Sequence, residues 1–148
     1  MDNNSPRTVT SSFSSNYLDL RIILLLPLRQ VIPWALTVLL VSLAGYPGVV
    51  CVTPMAWLLA LRIGNLAAWR SKSDTSSRRL SEAALAGGFF GFLQGILFAV
   101  VTPFMGPIQP DEVTQAVSFT VIMVVVGALA GAGLSFFTAY LNERKRAR

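Results

Sequence analysis

The sequence predicts an all-α integral membrane protein, with four transmembrane helices arranged as two antiparallel hairpins and a short interfacial segment before the first. Three observations carry that prediction. Hydrophobic residues make up 53% of the 148 residues and charged residues only 13%, about half the roughly 25% that lets an ordinary soluble domain cover its surface. The apolar residues gather in four long stretches separated by polar or turn-forming segments. Lysine and arginine gather before the first stretch, in the middle connection and after the last stretch, and avoid the two short turns, the asymmetry that membrane insertion imposes.

The opening run at 1–16, MDNNSPRTVTSSFSSN, has too little apolar surface to offset the entropy of ordering it and reads as a disordered cytoplasmic tail. It lacks the basic cluster, apolar core and small-residue cleavage site of a secretory signal. Residues 17–30 are apolar but interrupted by Asp19, Arg21, Pro27 and Arg29, a pattern suited to the headgroup boundary, so an in-plane segment is expected there. Residues 31–44 form the first clean span, with Pro33 near its start, where a missing N–H costs little. Gly45-Tyr46-Pro47-Gly48 is an uncharged turn signal, and 49–69 make the second stretch. The first hairpin thus covers 31–69.

Residues 70–81, RSKSDTSSRRLS, read as a basic cytoplasmic loop, and Glu82 is placed to help cap the helix that follows. The third apolar stretch runs from Ala83 to about Met105, where Gly106-Pro107-Ile108-Gln109-Pro110 stops it. Asp111 and Glu112 then supply acid at the start of a fourth helix reaching about Leu141. This second, glycine-rich hairpin covers 82–141, and 142–148, NERKRAR, closes the chain as a basic tail of net charge +3. Arg7, Arg21 and Arg29 precede the first span, four basic residues lie in the middle loop and four at the end, while both short turns hold none. The expected location is the plasma (inner) membrane, with both termini and the middle loop cytoplasmic.

Glycine spacing is the sharpest motif. Ala83, Gly87, Gly91 and Gly95 recur at every fourth position, and Gly127, Gly131 and Ser135 repeat the interval in the fourth helix. That spacing puts small side chains on one face, where helices in lipid associate by close backbone approach. Gly91 lies nine residues after Glu82 and Gly131 ten before Leu141, so the stripes match in depth. They serve either packing within the chain or contact with another helix. Gly88 and Gly133 fall off the stripes and suggest a second small face.

Arg29 is 16 residues before Gly45 and Arg62 is 14 after Gly48, about 24 and 21 Å of helix. Both fall just inside the cytoplasmic edge of a hydrocarbon core about 30 Å thick. They either snorkel to inner-leaflet phosphates or line a basic pocket for an anionic lipid head, a quinone or pigment carbonyl, or a partner's carboxylate. Asn65 stands one turn from Arg62 and would join it. Gln94 is the one strongly polar group near the middle of the third stretch, where it is expected to hydrogen-bond a neighbouring helix or to line a substrate path. Trp34, Trp57 and Trp69 read as interfacial anchors, with Trp34 and Trp57 alternatively as deeper packing. Cys51 reads as a small apolar filler.

The composition excludes several functions. Histidine is absent and there is one cysteine, which removes the commonest general base and the usual transition-metal ligands. No Asp, Glu or Lys lies deep in a span, which counts against a proton-coupled carrier or a carboxylate-gated cation pore. The pI of about 10.2 reflects charge at membrane borders, with no arrangement for reading nucleic acid. The expectation is a non-enzymatic accessory or scaffolding subunit of a larger membrane complex, without cofactor or metal. Its expected partners are membrane lipids, anionic on the cytoplasmic side, and other membrane subunits or a second copy. A small homo-oligomeric transporter or channel is the alternative.

Overall fold

The computed structural model describes residues 19–42, 46–73, 75–101 and 113–146. It is all-helical over these residues: α1 (Leu20–Ser42), α2 (Tyr46–Arg70), α3 (Ser76–Val101) and α4 (Val113–Arg146). The expected tail at 1–16, the 106–110 turn with Asp111 and Glu112, and the side chain of Cys51 lie outside the described residues. Leu20–Val41, Ser76–Val101 and Val117–Arg146 are long and apolar enough to cross a membrane, with mean hydropathies of 1.9, 2.0 and 2.2. Over its described residues α2 is not a candidate span. The outer faces carry many exposed apolar side chains, among them Leu25, Ile32, Leu40, Leu58, Ile122 and Leu129, far more than water tolerates on a monomer.

Four boundaries differ from the sequence reading. The interfacial segment at 17–30 and the first span are not separate over the described residues: α1 runs unbroken through Pro27 and Pro33. Its inner face, Ile22, Leu26, Trp34 and Val38, is buried at a roughly helical interval while Arg21 and Arg29 are exposed. The charges that suggested a break therefore occupy the outer side of one continuous helix. Interior prolines remove two backbone donors, a loss that membrane helices tolerate where neighbouring helices and side chains re-satisfy the freed carbonyls. Tyr46, Pro47 and Gly48 begin α2 and are not a turn. Proline is well suited to a first helical turn, which explains the difference.

α3 begins at Ser76 and not at Glu82. The polar stretch before Glu82 is a helix end whose side chains find partners: Arg79 donates to the Ser73 carbonyl at 2.9 Å, and Arg78 pairs with Glu82 at the i,i+4 spacing. α4 likewise continues past Leu141 to Arg146, with Arg144, Lys145 and Arg146 in its last turn, where cations suit the helix dipole.

The core joins α1, α2 and α3 through Ile22, Leu26, Trp34, Val38, Ala56, Ala60, Ile63, Ala67, Ala83, Ala86 and Phe90, and reaches α4 at Ala139. α3 and α4 share the most extensive contact of any pair, and α4 packs mainly on α3 and α2. Hydrogen bonds place the starts of α1 and α3 beside the ends of α2 and α4, all at one end of the bundle.

Candidate functional site

Small residues decide how closely α4 approaches its neighbours. A methyl group at Gly91 would strike the Gly127 backbone, one at Gly87 would strike the Gly131 carbonyl and Ser135 Oγ, and one at Gly95 would fall 2.5 Å from Val124 Cα. The contacts run in antiparallel register, so the two stripes read from sequence meet each other within the chain. Ala83 is buried on the same helix. Gly88 is not free for another helix, because an added Cβ would lie 3.4 Å from Ala132 Cβ; Gly133 has nothing within 4 Å.

Ser135 marks where three helices converge. It is fully buried, and its Oγ donates to the Ala60 carbonyl of α2 at 2.7 Å. Gly64 of α2 abuts the Ser135 backbone. The sequence reading passed over α2's own small stripe, Ala56, Ala60, Gly64 and Ala68, which has the same every-fourth interval and is buried throughout. The prolines and Arg62 drew attention away from it. Ser135→Ala is expected to cost about 0.6 to 1.7 kcal/mol, the range of interhelical side-chain bonds, in reversible unfolding of the purified chain.

A second constellation ties together the end of the bundle where the polar segments meet. Glu82, 1% exposed, accepts from the Asp19 backbone N–H at 3.1 Å and from Ser71 Oγ at 2.6 Å, and stands 3.5 Å from Arg78 Nε. It is an interior residue of α3 that joins α1, the segment after α2 and its own helix, and not a cap. Arg79 bridges α3 to α4 through Glu143 at 2.8 Å. Glu143 also faces Arg146, whose guanidinium lies 4.5 Å above the Trp69 ring of α2. Asn65 does not join Arg62: it accepts from Asn142 Nδ2 at 2.6 Å, which links α2 to α4. Arg29 and Arg62 are exposed and make no hydrogen bond or ion pair with any described residue.

Away from that end, α2 leaves room beside α3 and α4. The space is a lateral groove of about 170 Å³, bounded by Ala56, Trp57 and Ala60 of α2, by Phe90, Gln94 and Phe98 of α3, and by Val126, Ala130 and Leu134 of α4 among others. Gln94 is the one amide side chain lining it. The expected bond from Gln94 to a neighbouring helix is not made: its amide, half-buried, has no hydrogen bond to a described residue. Trp57 stands 58% exposed at the rim. Trp34, by contrast, is a core residue at 3% exposure, and its indole N–H meets no acceptor among the described residues.

This arrangement can bind but offers little for chemistry. The groove holds an amide that both donates and accepts, amid apolar walls, with no acid, base or nucleophile beside it. Glu82, which is buried, and Glu143, which is half-buried, already face Arg78 and Arg79. Among the described residues no three His, Cys, Asp or Glu side chains gather where they could hold a metal. No family model matches the chain, and no curated protein or solved structure matches it.

Proposed function

We propose that the chain is a multi-pass protein of the plasma (inner) membrane, with four spans in two antiparallel hairpins and both termini cytoplasmic, and that it serves as a non-catalytic accessory or scaffolding subunit of a larger membrane complex, such as an energy-transducing one. One observation carries the subunit reading: α4 is a candidate span of 30 residues whose most apolar window is only 6% buried, against 33% for α3 and 28% for α1. α4 therefore buries its small stripe against α3 and α2 and leaves much of its remaining surface, Gly133 and Ala130 included, exposed to whatever lies beside it. A helix with open small residues lets another backbone come close.

Other features support the remainder. α2 has 25 residues, about 37 Å of helix and more than the roughly 30 Å of hydrocarbon. The basic residues Arg70, Lys72, Arg144 and Lys145 lie at the end where all four helices are tied, which suits the cytoplasmic side and its anionic lipids. Arg29 and Arg62, exposed toward the surroundings, suit phosphate headgroups near that boundary.

Gentle extraction from the native membrane, with native mass determination of everything that travels with the chain, tests the subunit reading. A stoichiometric complex with unlike subunits is expected, and Gly133→Phe is expected to release the chain from it. Recovery as a lone homo-oligomer would overturn it in favour of the second reading, a small transporter or channel, which the position of Gln94 in the groove favours.

A further inference from the structure

We infer that the groove between α2, α3 and α4 is a binding site for a small lipophilic molecule carrying one hydroxyl or carbonyl group on a ring-sized apolar body. The inference rests on the membrane reading and is independent of the subunit role.

Volume sets the size class. At about 170 Å³ the groove is smaller than the roughly 300 to 1,000 Å³ of sites for drug-sized ligands, and close to the roughly 150 Å³ cavity that suffices for benzene. A single ring or a short branched apolar group fills it, and a helix does not enter it.

Chemistry then selects among occupants of that size. Water is a poor one, because a stable buried water needs two to four polar partners, and the lining side chains offer the Gln94 amide and, at the exposed rim, the Trp57 indole. A saturated acyl chain satisfies Phe90, Phe98, Leu134 and Trp57 but leaves the Gln94 amide unpaired in an apolar medium, a penalty of kind described for buried polar groups generally. A hydroxyl gives the amide an acceptor and a donor at once, and a carbonyl takes its N–H. An apolar ring beneath that group packs on the aromatic walls. The occupant that meets both demands is therefore a lipophilic alcohol, phenol or carbonyl compound, entering sideways between Trp57 and Ala130.

The purified chain in detergent micelles, titrated with 4-fluorophenol or fluorobenzene and followed by fluorine NMR, separates these possibilities. 4-Fluorophenol is expected to bind about three- to tenfold more tightly than fluorobenzene, the range of a net hydrogen bond. Gln94→Leu is expected to abolish the preference while retaining binding. Ala130→Phe, which fills the groove from its exposed rim, is expected to abolish the binding of both, and Val126→Phe, also at the rim, serves if Ala130→Phe does not fold. Equal binding of the two probes to the native chain and to Gln94→Leu would overturn the inference by showing a merely apolar slot. Binding that survives both filling substitutions would overturn it by showing partition into the micelle. Neither result bears on whether the chain co-purifies with other subunits.

Discussion

Gly91→Leu is expected to give a chain that inserts but does not hold α4 against α3. Even a methyl group at this position meets the Gly127 backbone, and a backbone cannot swing aside as a side chain can. Overpacking a yielding core costs about 1 to 3 kcal/mol, and an obstacle between two backbones belongs at or above the top of that range. The helices must separate along the whole seam, because Gly87 against Gly131 and Gly95 against Val124 are set by the same axis distance. Gly133→Leu is the matched control, the same substitution on a glycine with open space around it. The pair is measured by reversible unfolding of the purified proteins, or by the rate at which cysteines placed on α3 and α4 cross-link. If Gly91→Leu and Gly133→Leu lose equal stability, the close approach of α3 and α4 is not what holds α4.

Glu82→Ala is expected to be the most damaging substitution outside the glycine seam, by about 3 to 5 kcal/mol, the usual cost of removing one member of a buried charged pair. The carboxylate serves three groups at once. Without it the Asp19 N–H and Ser71 Oγ lose the acceptor they now have, and Arg78 loses its anion. Glu82→Gln keeps an oxygen for the Asp19 N–H but gives up the charge, so its loss is expected to fall between that of the native chain and Glu82→Ala. Arg78→Ala, whose side chain is 25% exposed, is expected to cost less than Glu82→Ala. Thermal unfolding of the three variants in one detergent checks the order; an Arg78→Ala as damaging as Glu82→Ala would show that the ion pair, and not the junction of α1 with the segment after α2, is what matters.

How much of this was legible in the sequence depended on the range of the interaction. The four helices could be read from apolar runs, because these follow from helix geometry alone; interval and depth allowed the two glycine stripes to face each other but left contact with another helix open, and the pairing of Gly87 with Gly131 and of Gly91 with Gly127 came from the fold. Element ends were harder. Ser76 to Ser81 read as loop because polarity was taken to mean disorder, whereas a helix that projects beyond the apolar zone needs polar residues in its outer turns. Glu82 resembled a cap because its true partners, Asp19 and Ser71, lie 63 and 11 residues away and carry no local signature. Asn65 stands one turn from Arg62 along the helix, but Asn142 arrives from 77 residues on and takes its carbonyl oxygen. The groove was beyond reach for the same reason. Gln94 marks it, but only the divergence of α2 from α3 and α4 creates the space.

The network around Glu82 also orders events during synthesis. Its three partners, Asp19, Ser71 and Arg78, all precede it in the chain, so the junction of the first three helices has every component as soon as the start of α3 has been made. α4 brings the other class of contact, a small-residue seam that depends on shape, with Ser135–Ala60 within it and Arg79–Glu143 and Asn65–Asn142 fastening its last turns. Synthesis in chain order therefore completes the polar junction of the first three helices before α4, the candidate span with the smallest buried share, is finished.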